Sequence, residues 1–185
     1  MRNVKWLLAL LACSSTASAA LIPPGMKEPV PPAKLALDVG GGSLSYVSGN
    51  VGGGGGAWCV VGGYTPQQYI TLEASYTGAA GNATGAGALV ATIVEGDARL
   101  NPIPGHRVSP YLLAGLGWGG FHETQFRSDN STMTIPLGGG IEVRLSDHLS
   151  FGGRVTYRIV TFDKLGVADA SADNWSTTFR LGAKF

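Results

Sequence analysis

The sequence predicts an all-β fold, an eight-stranded antiparallel up-and-down β-barrel that crosses a membrane. Three observations carry this expectation. From Lys34 onward the apolar residues recur with a period of two, in segments of about ten residues, the length that a tilted transmembrane strand needs. One face of these segments is bulky and aliphatic, while the other mixes glycine, Ser/Thr and charge, the division expected of a lipid-facing exterior and a polar interior. Composition agrees, because charged residues are 14% of the 185-residue chain and glycine fills 29 positions, against about 25% and ~7% in ordinary soluble domains.

The segments follow in order. Lys34–Val47, Gly53–Gly63, Gln67–Thr77 and Gly87–Asn101 are strands by period and by the turn residues between them. Their polar faces carry Asp38, Glu73, Glu95, Asp97 and Arg99. In Val108–His122, Leu112, Ala114, Leu116 and Trp118 oppose Tyr111, Gly115, Gly117 and Gly119. In Thr132–Leu145, Met133, Ile135, Leu137, Ile141 and Val143 oppose Pro136, Gly138, Gly140, Glu142 and Arg144. Leu149–Phe162 sets Leu149, Phe151, Val155, Tyr157 and Ile159 against Ser150, Gly152, Arg154, Thr156 and Arg158. The last strand, Asn174–Phe185, has the cleanest alternation: Trp175, Thr177, Phe179, Leu181, Ala183 and Phe185 on one face, Ser176, Thr178, Arg180, Gly182 and Lys184 on the other.

An even strand number with both ends in the periplasm makes Tyr64-Thr65-Pro66, Pro102 to Arg107 and Ser146-Asp147-His148 the inner turns. The outer loops are then about Ser48–Gly52, Gly78–Ala86, Glu123–Ser131 and Lys164–Asp173, mostly longer and richer in Gly, Asn, Asp and Ser. Trp58, Tyr76, Trp118, Phe121, Tyr157, Phe162, Trp175 and Phe185 are expected in aromatic girdles at the membrane interfaces.

Ahead of the barrel, residues 1–19 read as a signal peptide. Arg2 and Lys5 precede the apolar run Trp6 to Ala12, and Ala-Ser-Ala-Ala before Leu21 offers cleavage between Ala19 and Ala20. Leu10-Leu11-Ala12-Cys13 resembles a lipoprotein box, which would instead lipidate Cys13. Residues 20–33 hold Pro23, Pro24, Pro29, Pro31 and Pro32 and form an extended periplasmic linker. Cleavage after Ala19 removes two basic residues and leaves a net charge of −1, a balance with no hint of nucleic-acid binding. It also leaves Cys59 as the single cysteine, so no intramolecular disulfide is possible.

The barrel, residues 34–185, resembles the small outer-membrane β-barrels of the OmpA and OmpX type. The resemblance rests on Pro110-Tyr111-Leu112-Leu113-Ala114-Gly115-Leu116-Gly117, on Pro136-Leu137-Gly138-Gly139-Gly140-Ile141-Glu142 and on Phe179-Arg180-Leu181-Gly182-Ala183-Lys184-Phe185. It implies integral insertion in outer-membrane lipid. It also implies a terminal signal read by the barrel-assembly machinery, with Phe185, Ala183, Leu181 and Phe179 at the matching positions.

The two-residue period puts Asp38, Glu73, Glu95, Asp97 and Glu142 inside with Arg99, Arg144, Arg154, Arg158, Arg180 and Lys184. Buried charges must be paired, so these residues are expected to form an internal ion-pair network, with inward glycines leaving room for the large side chains. No enzyme is expected. His106, His122 and His148 have no metal-ligand spacing, and only His122 beside Ser128 or Ser131 mimics the His–Ser pair of lipid-modifying barrels. Gly40-Gly41-Gly42 and Gly52 to Gly56 lack the Lys-Ser/Thr of a phosphate loop. No cofactor is expected. The leading expectation is a structural or surface-interaction protein, plugged by its ion pairs and meeting a surface ligand through its outer loops. A narrow solute channel, a lipid-modifying enzyme and a soluble lipocalin-like barrel are the alternatives.

Overall fold

Eight antiparallel strands close on themselves in chain order: β1 (Leu35–Tyr46), β2 (Gly55–Gln67), β3 (Ile70–Asn82), β4 (Ala88–Leu100), β5 (Val108–Glu123), β6 (Ser128–Arg144), β7 (Leu149–Thr161) and β8 (Asn174–Lys184). This computed structural model describes residues 35–47, 54–82, 88–123, 128–161 and 173–185. The expected signal peptide, Cys13, the linker and Phe162 lie outside the described residues. β1 pairs with β8 from Ala36↔Lys184 to Tyr46↔Asn174. At the seam the Phe185 amide donates to the Leu35 carbonyl at 2.9 Å. Closure leaves no sheet edge, the condition for carrying backbone polar groups through hydrocarbon.

Two mouths follow from this order. The proximal mouth holds the start of β1 and the end of β8, and the distal mouth lies at the opposite end. Alternation sorts the side chains. In β4, Leu89, Ala91, Ile93, Glu95, Asp97 and Arg99 are buried, whereas Val90, Thr92, Val94, Gly96, Ala98 and Leu100 are exposed. Outside, Leu112 and Leu116 are 64% and 60% exposed, an inverted pattern that suits lipid as the outer solvent.

The structure corrects several boundaries. Tyr64-Thr65-Pro66 is not a turn: β2 runs on to Gln67, and Gln68 and Tyr69 make the connection. Pro66 is accommodated because the β2–β3 register shifts between Tyr64 and Gln67, an irregularity that tolerates a residue without an N–H. The expected outer loop Gly78–Ala86 is strand up to Asn82, and the one at Glu123–Ser131 is strand to Glu123 and again from Ser128. Gly78 to Gly81 show no alternation because they are all small, yet their backbones pair with Gly55 to Trp58. At the proximal mouth the other connections span residues 101–107 and 145–148. The first turns on Gly105, whose φ of 80° falls in the left-handed region.

Trp58, Trp118, Tyr157 and Trp175 point outward in the distal halves of their strands. Trp58 lies 5.3 Å from Tyr76 and covers Gly78, and Tyr157 lies 4.7 Å from Trp175. Phe121 does not join this girdle. It is 3% exposed and faces the lumen, one residue out of phase with Trp118 and His122.

Candidate functional site

The site is the lumen, and inward glycines make it possible. A Cβ at Gly117 would sit 2.6 Å from Glu95 Cγ, and one at Gly140 2.6 Å from the Tyr111 hydroxyl. Those at Gly115 and Gly182 would overlap the carboxylates of Asp97 and Asp38. Glycine on one strand thus faces a large side chain on the next, which lets an eight-stranded barrel hold this many charges.

The charges connect from the proximal mouth inward. Lys184 pairs with Glu142. Glu142 also accepts Arg99 at 2.9 Å, and Arg99 reaches Glu73 at 3.4 Å. Glu73 is the hub, since it also pairs with Arg154 and lies 3.7 Å from Arg180. Arg180 reaches Asp38 at 3.6 Å, and Arg154 reaches Asp97 at 3.6 Å. Deeper in, Arg158 grips Glu95 with two prongs of 2.8 and 2.9 Å and donates to Ser176 at 2.6 Å. Such two-pronged pairs are among the stronger polar contacts in a dry interior. Arg144 stands apart: it lines the proximal cavity and forms no ion pair among the described residues.

Tyr111 occupies the centre and was not assigned a role from sequence. The Arg99 guanidinium lies 3.8 Å from its ring centroid, those of Arg154 and Arg180 lie at 5.9 Å, and Arg180 donates to its hydroxyl. The ring therefore spaces three cations through its π face and edge. The available signal was an aromatic residue on the otherwise glycine-rich inner face of β5.

The polar interior expected from sequence is interrupted in the distal half by an apolar cluster. There Leu44, Ala57, Ala79, Ala91, Ile93, Phe121 and Val160 pack together, with Tyr46 edge-on to Phe121 at 6.4 Å, beside the buried polar side chains of Thr132, Thr134, Asn174 and Ser176. The inner face of β4 marks the change, passing from Leu89, Ala91 and Ile93 to Glu95, Asp97 and Arg99. At the proximal mouth a cavity of about 70 Å³ remains, lined by Asp38, Glu73, Arg99, Glu142, Arg144 and Lys184 among others.

The other candidates are dispersed. Phe179, Leu181, Ala183 and Phe185 all lie on the outer face of the last strand, with Phe179 stacked 6.4 Å from Phe151. Ala19 and Ala20 lie outside the described residues. His106 and His148 sit in the proximal turns, each within hydrogen-bond distance of a backbone carbonyl. His122 is exposed at the distal end opposite Asp129 in register, while the Ser131 hydroxyl accepts the Trp118 indole N–H at 3.1 Å. Cys59 is buried on the inner face of β2.

With this geometry in hand, comparison with known proteins gives a family. The model of the outer membrane protein beta-barrel domain matches residues 6–185. The chain belongs to that family. Membership implies an outer-membrane location. Among solved structures, the barrel is similar to Neisserial surface protein A, with 14% identity, a TM-score of 0.65, and coverage of 82% of this chain and 96% of that one. It is also similar to the N-terminal β-barrel domain of Pseudomonas aeruginosa OprF, with 14% identity, a TM-score of 0.58, and 81% and 97% coverage. The outer membrane enzyme PagL matches at 14% identity with a TM-score of 0.50, over 81% and 99% of the two chains. At such identities the likeness concerns the fold. No curated protein matches the sequence.

Proposed function

We propose that this chain is a non-conducting integral barrel of the outer membrane with a structural or surface-interaction role. The observation that carries the reading is a lumen filled along its length, by ion pairs around Glu73 and Tyr111 in one half and by side chains packed around Ile93 in the other. Among the described residues this filling opposes the passage of a solute, and it supports a barrel that acts as a rigid body in the membrane. The proximal mouth faces the periplasm and the distal connections face outward. An exported precursor cleaved after Ala19 fits this orientation, as does an outward-facing Phe179, Leu181, Ala183 and Phe185 read by the barrel-assembly machinery. The distal connections meet the surface ligand.

The test is planar-bilayer conductance of the folded full chain. No single-channel steps are expected, and sustained openings of the wild-type protein would favour the narrow-channel reading instead. Protease treatment of intact cells checks orientation: cuts should fall in residues 124–127 or 162–172, and cuts confined to the 101–107 or 145–148 turns would reverse the assignment. The fold shared with the outer membrane enzyme PagL keeps an enzyme as a second reading, and lipid modification is the activity the sequence raised. Against it, the register sets His122 opposite Asp129 and Ser131 opposite Gly120, and the Ser131 hydroxyl accepts the Trp118 indole N–H.

A further inference from the structure

The lumen charges do not balance, and the cation left over lies at the proximal mouth. Five inward carboxylates, Asp38, Glu73, Glu95, Asp97 and Glu142, each have a basic partner within 4.0 Å. Five cations supply those contacts: Arg99, Arg154, Arg158, Arg180 and Lys184. Arg144 is a sixth, and no described carboxylate meets it. It lines the cavity that opens at this mouth. An unmatched guanidinium at the edge of a walled cavity attracts an anion more strongly than one on an open surface.

The neighbours suit the same ligand. Asn101 also lines the cavity, and its carbonyl oxygen already accepts Arg99 Nε at 3.0 Å, which leaves the amide N–H groups to donate. Gln68 adds a second amide to the lining. The lining carboxylates Asp38, Glu73 and Glu142 each have a cation within 4.0 Å, Asp38 through Arg180 and the other two through Arg99, Arg154 and Lys184, so their charge is offset by those partners. A cavity of about 70 Å³ admits roughly five waters at ~10–15 Å³ each, enough for one oxyanion group and too little for a sugar. The apolar packing around Ile93 and Phe121 closes the far end, so a group that enters from the proximal side goes no further.

We propose that this vestibule is a binding site for a small oxyanion, a carboxylate or phosphate group, held by the Arg144 guanidinium with the Asn101 and Gln68 amides. Its ligand comes from the periplasm, a source that rests on the orientation given above. Binding itself is independent of orientation, so its failure is distinct from a failure of that reading.

The test is an NMR titration of the full chain folded in detergent micelles, with sodium acetate and inorganic phosphate as probes and sodium chloride at matched ionic strength as the control. Saturable shifts are expected at the amides of Asn101, Gly105 and Ser109. Arg144→Gln should weaken them at least tenfold. Arg107→Gln, which removes an exposed cation outside the cavity lining, should leave them unchanged. Saturation by acetate alone assigns the site to carboxylates, and saturation by phosphate alone assigns it to phosphates. A second readout needs no variant: the wild-type Arg144 side-chain N–H resonance should move with the same midpoint. Saturation by neither probe, equal binding by Arg144→Gln, or a stationary Arg144 resonance would overturn the proposal.

Discussion

The Arg158–Glu95 pair is the sharpest test of how the lumen holds the barrel together. Both side chains are at most 4% exposed, and three short hydrogen bonds tie Arg158 to Glu95 and Ser176. Arg158→Met keeps much of the side-chain volume but strands the Glu95 carboxylate. Breaking a buried pair from one side costs roughly 3–5 kcal/mol, because the surviving charge has no partner. Summing three charge-assisted bonds at about 1.5–3 kcal/mol each would reach a higher figure, but water entering beside the shorter side chain relieves part of it. The expected loss for Arg158→Met is therefore about 3–5 kcal/mol, with a similar loss for Glu95→Leu. The double variant removes both charges, so it should recover much of the deficit and give a coupling energy of at least about 2 kcal/mol. Urea unfolding of the full chain in phospholipid vesicles, followed by tryptophan fluorescence, measures all three. Losses that simply add, or single losses below about 1 kcal/mol, would mean that the pair is solvated and contributes little.

Three further outcomes follow from the same geometry. Gly140→Val places a Cβ 2.6 Å from the Tyr111 hydroxyl and should destabilise by at least about 1–3 kcal/mol; Gly62→Ala, with nothing within 4 Å, should stay within about 0.5 kcal/mol. Equal unfolding midpoints for the two would contradict the account of the inward glycines. Leu116→Arg, at a mid-strand outward position, should cost about 2–4 kcal/mol in vesicles if lipid covers it; a neutral result there would deny the lipid-facing assignment. Phe185→Ala should lower the fraction of chains assembled in cells, read as the heat-modifiable band on gels, while refolding in detergent stays intact. Unchanged assembly in cells would remove Phe185 as the recognition residue.

Much of the barrel was legible because its periodicity is local. From β5 onward the alternation of Leu112, Leu116 and Trp118 with Tyr111, Gly115 and Gly117 assigns each face without knowledge of any neighbour. Boundaries were harder where side chains carry no contrast. Gly78 to Gly81 extend β3 because their backbones pair with β2, and Pro66 stays in β2 through a register shift that only the partner strand reveals. Phe121 misled for a different reason: nearness to a strand end suggests an interfacial aromatic, whereas its parity sends it inward.

The sequence by itself determined the class of fold and the strand number, since period, segment length and the turns between segments are properties of the chain alone. It also placed Glu73, Glu95, Asp97, Arg154 and Arg158 on the polar faces of their strands. Only the tertiary structure decided how they meet: Glu73 as the hub, Arg158 committed to Glu95, Tyr111 among three arginines, and Arg144 left over at the mouth. The gathering of Ile93, Phe121 and their neighbours into one apolar cluster beyond the charges was likewise settled there. The physical reason is that strand register and barrel closure set the height of each residue along the axis. Residues such as Arg154 and Glu73, 81 positions apart in the chain, become partners only once β3 and β7 face each other across the closed barrel.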